Sequence, residues 1–485
     1  MTSTVRALPA GFRVVLDRNT RLLDPGTLFG GAPARVLRLS ETGQNALAEL
    51  LSGPVRTRAA GVLARRLTDA GLAVAAPPRE ASAVSVTVVI PARDRAPQLA
   101  RCLRALGDRH AVIVVDDGSQ DPSAVARVTA AHGARLVRRA TNGGPAAARN
   151  TAIRLVETDA VAMLDSDCVA PPGWIEQLAA HLADPLVALV APRIRPRFAT
   201  SAVGRYGSHR SCLDLGPAAA AVAPRTRVAY VPTAAVIARR AALLDVAVDG
   251  AVFDEALRYG EDVDLVWRLH DAGWRSRYDP SVVVAHDEPE CWRALVTRRF
   301  RYGTSAAPLA LRHPAHTVAL VLPPWPAIAV AGLLAGRPSL SAAGATATLV
   351  AVGRTVRRAG LPANASLHST ARILGQTWTG TGRYVSQFGL LVAAGAVVAG
   401  GRRSSSWQAR LRRGAWLGLL LAPIAADRRR CPPDLDPIRG AVAQLADEAA
   451  YGAGVWAGCL RHRSLRALRP AAFRSARSPR PRGVT

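Results

Sequence analysis

The stretch Ala160-Val161-Ala162-Met163-Leu164-Asp165-Ser166-Asp167 joins an apolar run to two closely spaced carboxylates. The five apolar residues predict a buried β-strand. Asp165 and Asp167 follow the end of that strand, and carboxylate oxygens are the ligands that a hard divalent cation prefers. Such a cation holds a diphosphate and neutralises charge on a departing nucleotide. Acidic turns without a ligand are common, so the surrounding sequence must show whether these two aspartates bind a cation.

That surrounding sequence alternates apolar strands with helix-length segments. Strands are predicted at residues 84–90, 111–115, 134–137 and 161–164, and helices at 98–106, 122–131 and 145–156. This alternation is typical of an α/β domain with a parallel sheet. Ligands of such sheets bind at the carboxyl ends of the strands. The polar residues that follow each strand are therefore the candidates for chemistry.

The first two predicted strands each end in polar groups that suit a nucleotide. The first leads into Pro91, Arg93 and Asp94, a loop that we expect beside the base. The second leads into Asp116 and Asp117, where a carboxylate can accept hydrogen bonds from a pyrimidine or a ribose. An ordinary strand–turn–helix connection explains either loop equally well.

Two further segments complete a predicted nucleotide-sugar site. Asn142 and Gly143 precede a proline at a helix start, where backbone N–H groups can face phosphate. Arg149 lies about one turn inside that helix and could order the acidic loop, in which Ser166 separates the two aspartates. A plain helix terminus is the alternative interpretation.

Two later groups carry the proposed acid–base and charge chemistry. Glu261 and Asp262 open a predicted helix, and Asp262 could serve as general base for an acceptor hydroxyl. Helix capping is the alternative for Glu261. His286 follows an apolar strand and could complete a cation site with Asp165 and Asp167. Further along, Arg298 and Arg301 belong to a basic cluster that could clamp diphosphate or simply face solvent.

Composition bounds the class of protein without choosing a ligand. The chain has 485 residues, all 63 lysine-plus-arginine positions are arginine, and the net charge is +28. Nucleic acid, anionic lipid and nucleotide sugars are all attracted by such a charge. The six cysteines form no Cys-x-x-Cys pair, which argues against a zinc ribbon and predicts free thiols in a reducing compartment. The N-terminus shows no signal region, so we expect no export.

Four regions are predicted along the chain. Residues 1–80 form a small α+β, winged-helix-like module with strands at 14–17 and 35–39, and residues 77–82 form a linker. Residues 84–310 form the α/β domain. Residues 318–460 are helical, apolar and arginine-rich, which predicts contact with a membrane. Residues 461–485 form a basic tail that we expect to be disordered.

Taken together, these motifs and their order resemble the family 2 glycosyltransferases with the GT-A fold, a Rossmann-like mixed sheet. The resemblance covers residues 84 to about 305. It implies that Asp94 and Asp117 bind nucleotide, that Asp165 and Asp167 hold Mn²⁺ or Mg²⁺ with the diphosphate, and that Asp262 is the base. It also implies inversion at the anomeric carbon.

The remainder of the chain refines this resemblance. Processive members carry Gln-x-x-Arg-Trp, whereas this sequence has Arg298-Arg299-Phe300-Arg301-Tyr302 at about that place, which disfavours a long extruded polymer. The whole-chain layout resembles the branch that glycosylates a peptide-derived redox cofactor precursor. The resemblance implies a UDP-glucose donor, a small-molecule or peptide-derived acceptor, β-1,4-linked glucose, and action at the cytoplasmic face of the cell membrane.

Two other classes stay open at this stage. A nucleic-acid-binding protein would fit the positive charge, but it leaves two acidic motifs in loops of one predicted cleft unexplained, so we expect no nucleic acid partner. A transferase acting on a polyprenyl phosphate or a cell-envelope glycan would suit the apolar C-terminal region.

Overall fold

The chain divides into two compact units. The computed structural model describes residues 6–31, 35–78, 84–198, 200–358, 360, 364–402, 406–430 and 435–472. The first unit comprises the described residues up to Phe198 and those from Arg210 to Glu288. The second unit comprises residues 200–209 and the described residues from Pro289 onward. Most of the predicted linker, residues 79–82, lies outside the described residues.

The N-terminal module of the first unit contains more strands than its sequence predicts. Its elements are β1 (Arg13–Leu16), β2 (Arg21–Asp24), β3 (Thr27–Gly30), β4 (Arg35–Arg38), α1 (Glu41–Ser52), α2 (Arg58–Asp69) and β5 (Ala73–Ala76). Strands β2, β3 and β4 form one antiparallel sheet, and β1 pairs with β5. Every residue of β2 is exposed, so this strand shows none of the alternation by which a half-buried strand is identified.

Capping explains where the two helices of this module begin and end. The hydroxyl of Ser40 accepts a hydrogen bond from Gly43 N at the start of α1. Thr57 caps α2 in the same way. Gly71, with a positive φ of 67°, lies just beyond the end of α2. The inward faces of both helices pack on a core that includes Phe12 and Leu28.

The remainder of the first unit is an α/β domain around one large sheet. Its elements, together with α7, which lies mostly in the second unit, are β6 (Val86–Ala92), α3 (Ala96–Leu106), β7 (Ala111–Asp117), α4 (Pro122–Ala131), β8 (Arg135–Arg139), α5 (Pro145–Ile153), β9 (Ala160–Leu164), β10 (Cys168–Val169), α6 (Trp174–Ala179), β11 (Val187–Pro196), α7 (Ala202–Arg210), β12 (Ala220–Val222), β13 (Ala235–Arg239), α8 (Arg240–Asp245), α9 (Glu261–Asp271) and β14 (Arg275–His286).

The sheet is mixed, which confirms the predicted GT-A fold class. Its order is β10-β14-β11-β13-β9-β6-β7-β8, with β12 paired to β14. Strands β6, β7, β8 and β9 are parallel, whereas β13 runs antiparallel to both β9 and β11. The all-parallel sheet expected from the alternation is therefore interrupted at β13. The carboxyl ends of the four parallel strands meet at one rim.

A buried ion pair joins the N-terminal module to the α/β domain. Arg65 on α2 donates from both terminal nitrogens to the two carboxylate oxygens of Asp184, each at 2.7 Å. Both side chains are 1% exposed. Nearby, Arg275 pairs at 2.8 Å with Asp69, and that pair is about one-third exposed. The two pairs differ chiefly in burial.

The second unit is mainly helical. Its further elements are α10 (Trp292–Thr304), α11 (Ala306–Arg312), β15 (Val321–Leu322), α12 (Pro324–Leu334), α13 (Pro338–Arg358), α14 (Asn364–Phe388), α15 (Leu390–Arg402), α16 (Trp407–Arg430), α17 (Pro437–Arg461) and β16 (Ala471–Ala472). Helices α10 and α11, predicted within the α/β domain, belong to this unit. Among its described helices, none combines the length and the apolarity required to cross a membrane.

The segment after residue 461, predicted to be disordered, is ordered in its described part. Residues Arg466–Leu468 form a short 3-10 helix, and β16 pairs with β15 in parallel. Backbone pairing thus orders the chain at least to Ala472, and residues 473–485 lie outside the described residues. The described cysteines, residues 102, 168, 212, 291 and 459, are free thiols, and Cys431 lies outside the described part.

We expect the buried pair to stabilise the first unit far more than the exposed pair does. Asp184→Asn leaves the Arg65 guanidinium buried without its counter-charge, which should lower the free energy of unfolding by about 3–5 kcal/mol. Asp69→Asn should cost about 1 kcal/mol or less. Denaturant titration of both variants tests this, and equal losses would show that burial does not set the value of the pair.

Candidate active site

The first two strand ends are tied together by their own loops. Asp94, just after β6, has a positive φ of 52°. Its backbone N–H donates to the hydroxyl of Ser119 at 3.0 Å, and its carboxylate accepts from Gln120 N at 2.6 Å. Arg93 Nε lies 3.5 Å from the same carboxylate. Pro91 is half-buried within β6. Asp94 thus orders the loop that follows β7.

The two aspartates that end β7 have different partners. Asp116 is fully buried and accepts from Ser119 N at 3.0 Å, while its Oδ2 has no hydrogen-bond partner among the described residues. Asp117 accepts from Arg139 Nε at 2.8 Å. Gly118 has a φ of 72°, and a Cβ there would approach Asn142 N to 2.9 Å, so this turn requires glycine. The nearest cationic group to Asp116 Oδ2 in an ion pair is Arg138, whose Nε lies 3.9 Å away.

The helix start predicted to face phosphate is occupied by a carboxylate of the protein. The N–H of Gly143 donates to Asp117 Oδ1 at 3.0 Å, and that of Gly144 donates to Asp117 Oδ2 at 2.7 Å. Asn142 Oδ1 also accepts from Gly144 at 3.0 Å. A negative charge already satisfies these amides. The expectation that they would face phosphate is corrected: they position Asp117.

Arg149 connects the two acidic motifs. Its guanidinium is 3% exposed and donates to Asp165 Oδ1 at 2.6 Å and to Glu261 Oε1 at 3.1 Å. It also lies over the ring of Phe253, 5.7 Å from the centroid. Burial lowers the pKa of Arg149, but the carboxylates of Asp165 and Glu261 outweigh it, so the group stays charged. The structure therefore brings the Asp-x-Asp loop and the start of α9 to one cation.

The other aspartate of the Asp-x-Asp motif faces His286. Asp167 Oδ1 lies 3.6 Å from His286 Nε2, because β10 pairs Cys168 with His286 on β14. The opposite oxygen of Asp167 binds Arg95. Burial raises the pKa of Asp167, whereas His286 and Arg95 lower it. The two predicted carboxylate ligands thus contact different cationic groups, and Ser166 between them is buried.

The start of α9 holds two carboxylates in a poorly solvated place. Gly260 precedes the helix with a φ of 83°. Burial and the neighbouring carboxylate of Asp262 together raise the pKa of Glu261 to about 7, against the opposing charge of Arg149. Burial also raises the pKa of Asp262, against the hydrogen bond from Val263 N at 2.8 Å and the charge of Arg149. A carboxylate with a raised pKa is suited to accept a proton. Asp264, one turn into the same helix, is 2% exposed and pairs with Arg268 at 2.8 Å.

Some expectations lie outside this rim, and some of its residues were not predicted. Arg298 and Arg301 lie on α10 in the second unit. Arg95 and Arg139, which bind Asp167 and Asp117, were not singled out. The position of Arg139 at the carboxyl end of β8 was the feature from which a role at this rim could have been predicted.

The donor set at the rim suits a hard divalent cation. Asp165 and Asp167 offer carboxylate oxygens, and His286 offers an imidazole nitrogen. Arginines now contact both carboxylates, as expected for concentrated negative charge.

Comparison with known proteins agrees with these features. Residues 87–243 match the sequence profile of Glycosyl transferase family 2. The chain is 38% identical to "Pre-mycofactocin glycosyltransferase" of Mycobacterium tuberculosis (strains CDC 1551 / Oshkosh and ATCC 25618 / H37Rv), over 96% of this chain and 99% of that protein. It is 33% identical to "Succinoglycan biosynthesis protein ExoU" of Rhizobium meliloti (strain 1021), over 40% of this chain and 59% of that one.

Solved structures give a more distant match. The mannosyltransferase PcManGT from Pyrobaculum calidifontis, in complex with GDP-Man and Mn²⁺, is 23% identical with a TM-score of 0.37, over 72% of this chain and 89% of that one. The full-length similarity to the pre-mycofactocin glycosyltransferase confirms the predicted whole-chain resemblance. The chain is a glycosyltransferase and belongs to family 2 of the glycosyl transferases.

Proposed function

We propose that this enzyme transfers glucose from UDP-glucose to a hydroxyl of a peptide-derived mycofactocin precursor, with inversion at the anomeric carbon and with a divalent cation. The acceptor follows from the 38% identity to the pre-mycofactocin glycosyltransferase over nearly both whole chains. The observation that supports the mechanism is the contact of Arg149 with both Asp165 and Glu261. Arg149 thereby holds together the two acidic motifs that the donor and acceptor chemistry of this mechanism requires.

In this mechanism the nucleotide lies along the rim of the parallel strands. Asp116 Oδ2, which accepts no hydrogen bond from the described residues, accepts one from the base or ribose. Arg95 and Arg149 face the diphosphate and stabilise the charge that develops on it as the sugar leaves. Asp165, Asp167 and His286 would hold the cation, which when bound supplies Lewis-acid stabilisation of the same charge.

The acceptor side depends on the start of α9. Asp262 takes the proton from the acceptor hydroxyl while that oxygen attacks the anomeric carbon from the face opposite UDP. Glu261 remains with Arg149 and holds the helix start in place. The raised pKa of Asp262 increases its affinity for the proton it must receive.

A donor and acceptor panel tests this proposal. Purified protein is incubated with UDP-glucose, UDP-galactose or GDP-mannose, and with either a soluble peptide-derived precursor or a polyprenyl phosphate. We expect glucosylated precursor, detected by mass spectrometry, only with UDP-glucose. Transfer to the polyprenyl phosphate alone would contradict the proposed acceptor, and transfer from GDP-mannose alone would contradict the donor.

Removing the base should abolish transfer without abolishing donor binding. Asp262→Asn keeps the size of the side chain but cannot take a proton, so we expect kcat to fall about 10²–10⁴-fold. The affinity for UDP, measured by calorimetry, should stay within about threefold, since Asp262 contacts the acceptor side. The matched control, Asp249→Asn on an exposed turn, should retain full activity. Wild-type rates in Asp262→Asn would remove this assignment.

The cation should depend on Asp167. Chelation should stop transfer, and Mn²⁺ or Mg²⁺ should restore it. Asp167→Asn removes one anionic ligand, so we expect the Mn²⁺ concentration for half-maximal rate to rise about tenfold or more. Asp249→Asn again serves as the control. A rate that chelation leaves unchanged would exclude a metal-dependent reaction.

A further inference from the structure

The last helix of the second unit, α17, carries polar side chains inward and apolar side chains outward. Gln444, Asp447 and Glu448 are 3%, 3% and 2% exposed. On the opposite side, Ile438 and Leu460 are 76% and 73% exposed. A helix on the surface of a water-soluble protein normally shows the reverse arrangement. The apolar outward face of α17 is therefore better suited to contact with an apolar environment than with water.

Exposed apolar residues of α17 form one continuous stripe, and the exposed charged residues of the helix, Arg439 and Arg461, lie near its two ends. The apolar residues recur at intervals of three, four or seven positions, which is the spacing of one helix face: Ile438, Val442, Ala446, Ala453, Trp456 and Leu460. From Val442 to Leu460 the stripe carries no charged side chain. Its length covers nearly the whole helix, Pro437–Arg461.

The inward polar groups are paired, so their burial is stable. Asp447 forms an ion pair with Arg299 at 2.6 Å and accepts a hydrogen bond from the hydroxyl of Tyr206 at 3.1 Å. Gln444 donates to Asp427 at 3.0 Å and to Glu448 at 3.2 Å. Polar side chains that satisfy one another inside a helical unit, with apolar residues outside, are typical of proteins in contact with lipid.

Two neighbouring helices extend the apolar surface. On α15, Leu391 and Val392 are 88% and 70% exposed. On α16, Trp407, Leu417 and Leu421 are exposed along one helix face. Residues of these helices and of α17 thus leave large apolar side chains in contact with solvent, far beyond the scattered exposure that a soluble surface tolerates.

Close packing between the helices follows the same pattern. A Cβ at Gly382 of α14 would lie 2.2 Å from Leu419 O of α16, and a Cβ at Gly452 of α17 would lie 1.6 Å from Gln387 O of α14. Backbones that approach through glycine associate without needing large apolar side chains between them. Those side chains are then left to point outward.

Arginines accompany this surface and indicate its partner. Arg410, Arg413 and Arg429 are exposed on α16, whose one acidic residue, Asp427, pairs with Arg383 of α14. A second copy of this chain on the same surface would place arginine against arginine. Anionic headgroups offer the complementary charge, and acyl chains offer the apolar medium.

We propose that α15, α16 and α17 bind the surface of a lipid bilayer that contains anionic lipid. The apolar residues at positions 391, 392, 417, 421, 438, 442 and 460 enter the boundary between headgroups and acyl chains. The arginines of α16 contact lipid phosphate. This surface localises the enzyme and takes no part in bond formation.

Vesicle co-sedimentation of the full chain tests this proposal. We expect binding to vesicles of phosphatidylglycerol and phosphatidylcholine, and binding at least about tenfold weaker to phosphatidylcholine alone or at high salt. The double variant Ile438→Asn/Leu460→Asn should lower the partition coefficient on anionic vesicles by about tenfold or more. Asparagine changes no charge, so the loss would report the apolar contact.

The control is Leu51→Asn/Leu244→Asn, which alters two exposed helical leucines of the first unit and should bind as wild type does. Circular dichroism verifies that both variants remain folded. Wild-type protein that stays in the supernatant with both kinds of vesicle would overturn the proposal, and so would equal binding by Ile438→Asn/Leu460→Asn. A stable dimer in light scattering that this variant dissociates would instead assign the surface to a second copy.

Discussion

The candidate site depends on one buried, positively charged side chain, that of Arg149. Arg149 places a full positive charge where water does not reach, and the carboxylates of Asp165 and Glu261, which contact it directly, balance that charge. Removing a charge from such a set leaves the others uncompensated, which costs several kcal/mol, typically about 3–5. The acid loop after β9 and the start of α9 are 96 positions apart between Asp165 and Glu261, yet they share this arginine. Neighbouring Asn150 binds Phe253 through both backbone groups, so α5 holds both sides of the site.

The sequence predicted the parallel half of the sheet because burial on both faces leaves an unbroken apolar run. Strand β9, with every residue buried, is the clearest case. It predicted the apolar end of β14, directly before His286, but not the beginning of that strand, which includes Arg275, Arg277 and Asp279. There the polar residues find partners elsewhere in the fold, such as His181 for Asp279. Tertiary pairing overrides local composition at such strands.

Site residues were predictable where residue type is rare, and unpredictable where it is common. Paired carboxylates stand out in a chain with 35 acidic residues against 63 basic ones. Arginine carries little information in such a chain, so residue type did not distinguish Arg95 or Arg139 from the rest, and Arg139 was marked only by its position at the end of a strand. The amides of Gly143 and Gly144 were assigned to phosphate because a helix start attracts anions. That reasoning was sound about charge, but the anion turned out to be Asp117.

The ion pair of Arg65 with Asp184 also bears on how enzymes of this kind can be recombined. One partner belongs to the N-terminal module and the other to the catalytic domain, and neither is accessible to water. A chimaera that joins the module of one homologue to the catalytic domain of another must carry compatible residues at both positions. Otherwise the chimaera buries an unpaired charge at the interface between the module and the catalytic domain. Compatibility at these two positions is thus a screening rule for domain shuffling.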